Sequence, residues 1–228
     1  MSALEQKRIV ASEVPAATIR TLTRSDADFG MLAKRATAIF GRIRDADADK
    51  LKIIAAKKKM ILANPGMPDI KAGHEMAKAL CLTCHKLHGE GAEVGPDLTG
   101  VGRSSIDALL ANIIDPNQII GAGYELVEVK TKDDRDISGR MIENNAIRVR
   151  LLALGGAEAV IAKGDIKSLR IGEVSVMPEG LEALPDDIFR DLVWFLLNPP
   201  KDNRPWTPAL RKELFGDETA GLPKKSTK

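Results

Sequence analysis

Both cysteines of the chain lie in one pentapeptide, Cys81-Leu82-Thr83-Cys84-His85, together with one of its three histidines. In a chain of 228 residues with so few of either type, shuffling would produce this spacing on the order of once in ten thousand times. Two thiols and an imidazole so placed constrain the fold, because the backbone around them has to present all three groups to one ligand.

The spacing is that of a c-type haem attachment site. Each thiol can add across a vinyl group of haem, and the adjacent His85 then points its imidazole at the iron. Two alternatives stay open: a redox-active Cys-x-x-Cys pair, and half of a zinc site. A zinc site needs two more soft ligands, and His74 and His88 lie too near in sequence for an ordinary structural knuckle. We expect one haem c held covalently by Cys81 and Cys84, with His85 as a ligand of its iron.

A glycine-punctuated loop follows the motif from residue 89 to residue 100. Glycine lets backbone approach a flat ligand closely. Here the chain resembles class I cytochrome c. The resemblance implies that the Pro96 carbonyl accepts a hydrogen bond from the axial histidine, which makes the imidazole more basic. It also implies that Leu98 packs on the haem face, that Arg103 approaches a propionate, and that Gly73 lets the first and last helices cross closely.

Charge and composition exclude some partners and suggest a compartment. The net charge is only +2, so nothing in the sequence calls for nucleic acid. No run of 18 apolar residues exists, and residues 1–10 lack a hydrophobic signal core. Covalent haem attachment takes place outside the bacterial inner membrane. We therefore expect a periplasmic or otherwise exported protein whose signal sequence was removed, or an excised piece of a longer exported one.

The N-terminal part, residues 1–66, is predicted to be a helical extension. Apolar residues fall on one helical face at Phe29, Leu32, Ala36, Ile39 and Ile43. A second helix is expected from about residue 47 to residue 63. Lys57 and Lys58 interrupt its apolar stripe, which favours a solvated basic face over a docking patch. The Pro- and Gly-containing segment 64–68 is the best domain boundary.

Two further helices are predicted around the cysteines. The first, over residues 69–80, delivers the cysteine motif at its end. The second begins after a capping box formed by Ser104 and Asp107, and Asp115-Pro116 ends it. A separate short turn of helix is expected to follow, through Ile120.

The hydrophobic period then changes. From Tyr124 to Ile171 apolar and polar residues alternate, with a turn every eight to twelve residues, which predicts an antiparallel β module of about five strands. The ends of this insertion must lie close together. A helix over 185–197 follows, and the tail 199–228 is rich in Pro and Lys.

The order of these parts resembles the haem-binding cytochrome c domain described from planctomycetes and verrucomicrobia. The matching segments are Cys81 to His85, Gly95 to Gly100, Asp115-Pro116, Gly123-Tyr124, Met177 to Leu181 and Asp191 to Leu196. The resemblance covers residues 69–198, and residues 1–64 resemble the end of a helical-repeat scaffold. One position departs from the pattern, because Ala77 stands where an aromatic is common, so Phe195 or Trp194 is expected to fill the helix crossing.

The resemblance implies an α+β protein with a mainly α, cytochrome c-like fold around a covalent haem. Its domain is expected at 67–198, interrupted by the β insertion 124–171. Tyr124 is counted among the haem contacts. For the sixth iron ligand the candidates are Met177, His74, His88 or none. Met177 is favoured, because it lies in a loop before the last helix and Pro178 keeps it extended. The two histidines are expected at the surface.

A His and Met ligand pair leaves no open position for a substrate and favours ferrous iron. The sequence therefore predicts an electron-transfer protein or domain and not an enzyme. Its expected partners are a dehydrogenase as electron donor and a cytochrome or oxidase as acceptor. Two alternatives stay open: a haem-based sensor with a labile Met177, and an adaptor whose β insertion docks a partner or forms a homodimer.

Overall fold

The computed structural model describes residues 30–63, 68–99 and 105–198, together with Leu22 and Arg103. Phe29, Ser104 and the tail 199–228, for which the sequence makes predictions, lie outside the described residues. The architecture is α+β, as predicted. Among the described residues, every helix is too short or too polar to cross a membrane.

The described residues form five α-helices and nine strands, and four of the strands have only two residues. In chain order these elements are α1 Gly30–Phe40, β1 Arg42–Ile43, α2 Ala48–Ala63, α3 Ile70–Leu80, β2 Lys86–Leu87, β3 Glu90–Gly91, α4 Ile106–Ile114, β4 Ile119–Ile120, β5 Glu125–Thr131, β6 Asp136–Asn144, β7 Arg148–Leu152, β8 Glu158–Ala162, β9 Ile166–Ser175 and α5 Asp186–Leu197.

These elements form two compact units. One combines the chain up to residue 46 with residues 116–178, and the other combines residues 47–115 with the chain from residue 179 on. Helix α2, predicted as part of an N-terminal extension, falls in the same unit as α3, and the units do not divide at the predicted boundary near residue 66. The reason is packing, because Ile61 and Leu62 of α2 belong to the same buried cluster as Leu110 of α4.

The helical unit is built on a close crossing of α3 and α5. A Cβ atom at Gly73 would collide with the Asp191 carbonyl oxygen and would lie 2.9 Å from Cβ of Phe195. Glycine therefore permits the close approach, and the predicted role of Phe195 at this crossing is confirmed. Helix α4 is capped by Ser105, whose Oγ accepts the Ala108 amide at 3.1 Å; the sequence had predicted a cap one residue earlier.

The lysines of α2 do not form the predicted solvated basic face. Lys57 Nζ lies 2.8 Å from Asp186 Oδ1 and Lys58 Nζ lies 2.8 Å from Asp107 Oδ1. Both lysine side chains are less than a fifth exposed. The two lysines instead form ion pairs with carboxylates in the first turns of α5 and α4. The periodicity of α2 alone cannot reveal such partners, because they lie in other helices.

The β unit contains the predicted five-stranded antiparallel sheet, in the order β8-β7-β6-β5-β9. One face buries a cluster of branched aliphatic side chains: Val127, Val129, Val149, Leu151 and Ile161. The last strand continues to Ser175, four residues past the predicted end. Glu125 is paired with Ser175, and the Val176 amide donates to the Tyr124 carbonyl at 3.0 Å. The prediction that the two ends of the insertion meet is confirmed.

A two-residue ladder between β1 and β4 was not predicted. Arg42 is paired with Ile120 and Ile43 with Ile119, whereas the sequence assigned Ile43 to a helical face and Ile120 to a helical turn. Helix α1 ends because Gly41 has φ +82° and approaches the Ile120 carbonyl more closely than a Cβ atom would allow. Such a long-range pairing has no local periodicity to reveal it.

Candidate functional site

The cysteine motif lies immediately after α3. Asp69 caps the start of this helix by accepting the Ala72 amide at 2.9 Å. The Cys84 and His85 amides both donate to the Cys81 carbonyl, at 3.0 and 2.8 Å. The chain thus turns tightly through the motif. Both cysteines are half-buried and form no disulfide.

The chemistry of Cys81 bears on the alternative of a redox-active dithiol. Burial, and to a lesser extent the charge of Cys84, raise the pKa of the Cys81 thiol to about 12. Reactive thiols in proteins have lowered pKa values, since the thiolate is the nucleophile. Cys81 therefore stays protonated at neutral pH, which disfavours thiol–disulfide exchange at this residue.

The zinc alternative depends on further ligands beside the cysteines. Both cysteines and all three histidines belong to the part of the chain that the structure describes. Within that part, no three or more His, Cys, Asp and Glu side chains converge so that they could hold a metal ion. The described residues therefore provide no ligand set for the tetrahedral site that structural zinc takes.

His85 is held by the hydrogen bond that the sequence predicted. Its Nδ1 lies 2.8 Å from the Pro96 carbonyl oxygen. Because a carbonyl can only accept, Nδ1 carries the proton, and the lone pair of the neutral ring is on Nε2. Burial lowers the pKa of His85, against the bond to Pro96, which raises it. The imidazole is therefore neutral at neutral pH and has the tautomer that a metal ligand through Nε2 needs.

Two glycines confine this histidine. A Cβ atom at Gly95 would lie within 2.6 Å of Nδ1 and 2.9 Å of Nε2 of His85, and one at Gly91, where φ is +100°, would collide with the His85 carbonyl. The Gly95 amide also donates to the Cys84 carbonyl at 2.7 Å. The sequence assigned the glycines of this loop to close approach of a flat ligand, whereas these two lie against the histidine itself.

Arg103 and Leu98 hold the loop in place. The guanidinium donates from Nε to the Leu98 carbonyl at 2.6 Å, from Nη1 to the Leu196 carbonyl at 3.1 Å and from Nη2 to the Thr99 carbonyl at 2.9 Å. Arg103 thus connects the loop to the last turn of α5. Leu98 is half-buried against the helical core. A propionate contact by Arg103 and a haem contact by Leu98 stay predictions.

The other two histidines have different surroundings. His74 stacks on Phe195 with ring centroids 4.8 Å apart, and its Nε2 lies 2.8 Å from Glu90 Oε2. It therefore joins α3, α5 and the β2–β3 hairpin, a structural role that the sequence did not predict. His88 is exposed, as expected, at a positive φ of 50°.

Met177 and Tyr124 belong to the β unit and His85 to the helical unit. Met177 is half-buried in the segment after β9, and its amide donates to Ser175 Oγ at 3.1 Å. The Tyr124 ring lies 4.0 Å from the Arg140 guanidinium carbon, a cation–π contact. Haem contact by Tyr124 and ligation of one iron by His85 and Met177 stay predictions.

No known protein-family model matches this chain, and no curated protein is significantly similar to it.

Proposed function

We propose that the protein carries one haem c, attached through Cys81 and Cys84 and ligated by His85 and Met177, and that it transfers single electrons. The observation that carries the proposal is the hydrogen bond from His85 Nδ1 to the Pro96 carbonyl. It fixes, next to two unbonded thiols, an imidazole whose Nε2 lone pair can bind iron.

The residues around the motif fit such a group. Two free thiols and a neutral imidazole supply the bonds that haem c needs from its protein. Gly95 packs against the imidazole and helps to fix its position, since any side chain there would strike the ring. The alternative chemistries lack support: the pKa of the Cys81 thiol is raised, and among the described residues no three His, Cys, Asp and Glu side chains converge as a metal site would require.

Each residue has a separate task in this proposal. When bound, haem supplies a one-electron couple between ferric and ferrous iron. The Pro96 carbonyl accepts a hydrogen bond from His85 Nδ1, which orients the ring. The same bond makes Nε2 more basic and therefore a better ligand for iron. Met177 supplies a soft thioether, which favours ferrous iron more than a second imidazole would. Arg103 and Gly95 keep the loop from shifting, so little reorganisation accompanies a change of charge.

The proposed partners and compartment follow from this chemistry. An electron carrier with both axial positions filled needs a donor, such as a dehydrogenase, and an acceptor, such as a cytochrome or an oxidase. Haem attachment outside the inner membrane makes the protein periplasmic or otherwise exported. The chain would act as a carrier by itself or as the electron-transfer domain of a larger exported oxidoreductase.

The attachment is tested by maturation in a bacterial periplasm followed by mass spectrometry of the denatured chain. The chain should gain the mass of one haem, and the double variant Cys81→Ala, Cys84→Ala should gain none. Each single cysteine variant should keep at most one thioether and attach haem poorly. Colour that stays with the denatured double variant would refute covalent attachment through these thiols.

A further inference from the structure

The edge strand β8 lacks several of the features that keep sheet edges from pairing, although it is short and carries one charged side chain, Glu158. Among the described residues, β8 pairs only with β7, in a regular register without a bulge. Its five residues contain no Lys, Pro or Gly, and Val160 at its centre is 58% exposed. Natural edge strands are usually protected by such residues or by bulges.

The opposite edge of the sheet shows the contrast. Strand β9 carries Lys167, Arg170 and Glu173, and its pairing with β5 is interrupted by two register shifts. Charged side chains and bulges of this kind discourage a further strand from adding. The two edges of one sheet therefore differ, and only β8 is suited to pairing.

The hydrogen-bonding direction of β8 follows from its contacts at both ends. The Ala157 carbonyl accepts the Ala153 amide at 2.8 Å, and the Lys163 amide donates to the Ile147 carbonyl at 2.8 Å. Odd-numbered residues of β8 thus bond to β7. Since the direction alternates along a strand, the amide and carbonyl groups of three residues point away from the sheet: Glu158, Val160 and Ala162.

We propose that β8 pairs antiparallel with β8 of a second copy of this chain, about a two-fold axis at Val160. The pairs are then Val160 with Val160 and Glu158 with Ala162, which exchange about six main-chain hydrogen bonds in all. Two five-stranded sheets become one continuous sheet. A two-fold axis makes the interface self-complementary, and the assembly closes at two copies.

Charges of opposite sign lie in one row across the interface in this register. Ala162 is paired within the sheet with Arg148. Glu158 of one copy therefore lies two strands, about 10 Å, from Arg148 of the other, with only a small alanine between them.

In the proposed dimer, residue 160 of one chain lies directly opposite residue 160 of the other, and the test uses this symmetry. In sedimentation equilibrium the holoprotein should behave as a dimer of 24.6 kDa chains. Val160→Glu and Val160→Lys should each be monomeric, because like charges then meet at the axis. An equimolar mixture of the two variants should again be dimeric, because opposite charges then meet. Far-UV circular dichroism checks that both variants are folded.

Two controls separate this edge from other surfaces. Ala162→Pro should keep the fold, because residue 162 already has φ −65°, the value that proline imposes. It should weaken the dimer, because it removes an outward amide. Ile171→Lys on β9, at a side chain that is 49% exposed, should leave the dimer unchanged.

Several outcomes would overturn the proposal. A monomeric parent protein excludes the self-pairing. A dimer that persists in both Val160 variants, or a mixture that stays monomeric, shows that the axis lies elsewhere. Loss of the dimer in the Ile171 variant, or growth of the parent into open polymers, assigns association to another edge. Each result is independent of whether haem is attached.

Discussion

At the scale of single residues, the site depends on how closely Gly95 approaches His85. The histidine and the two thiols could be predicted from the sequence because the motif is local, whereas the proline partner was implied by the resemblance to class I cytochrome c. The sequence did not show which neighbour each glycine meets, since that depends on how the loop folds back on the motif. Nor did it show that Arg103 donates to three backbone carbonyls, because carbonyl groups leave no mark in a sequence.

Gly95→Ala should disturb the histidine without changing any donor atom. The added methyl would lie within 2.6 Å of Nδ1, so the ring or the loop must move and the bond to Pro96 must weaken. We expect the free energy of unfolding of the holoprotein, measured with urea, to fall by about 1–3 kcal/mol. Gly164→Ala is the matched control, because nothing lies within 4 Å of a Cβ there. Equal stability of the two variants would show that the imidazole is not confined.

At the scale of elements, Lys50 fastens the segment between Met177 and α5 to helix α2. Its Nζ lies 2.8 Å from Glu182 Oε1 and 3.5 Å from Glu179 Oε2. The bounds of α2, α3 and α5 and the strands of the β module could be predicted from periodicity. The ion pairs that fix the elements to each other could not, because their partners lie between 49 and 132 residues apart in sequence.

Lys50→Met should loosen this segment. Amide hydrogen exchange over residues 179–184 should become about tenfold faster at neutral pH, as local opening becomes easier. Lys52→Met, whose partner Asp49 lies in the same helix, should leave exchange there unchanged.

Burial raises the pKa of Glu182, but the hydrogen bond from Lys50 and other bonds lower it further, so the net shift is downward. The contribution of the pair is therefore present above the ordinary carboxylate pKa and is lost as the pH falls through the lowered value. The Lys50→Met variant and its parent should then converge in acid.

At the scale of the whole molecule, the proposed ligands come one from each unit, His85 from the helical unit and Met177 from the β unit. The sequence predicted the α+β class and a five-stranded insertion with adjoining ends. It did not predict that α2 belongs to the helical unit, because packing between distant segments decides that. Ligation of one iron by His85 and Met177 is the central claim of the proposed function.

The most direct test of that claim is the spectrum of Met177→Ala beside that of Met141→Ala. The ferric parent should show the weak far-red band of sulfur bound to iron, and its ferrous form should bind carbon monoxide slowly or not at all. Met177→Ala should lose the band, bind carbon monoxide rapidly and have a lower potential, while haem stays attached through Cys81 and Cys84. Met141, packed against the core of the β unit, should be replaceable without spectral change. An unchanged spectrum in the Met177 variant would contradict this ligand assignment, and rapid carbon monoxide binding by the parent would favour a sensor over an electron carrier.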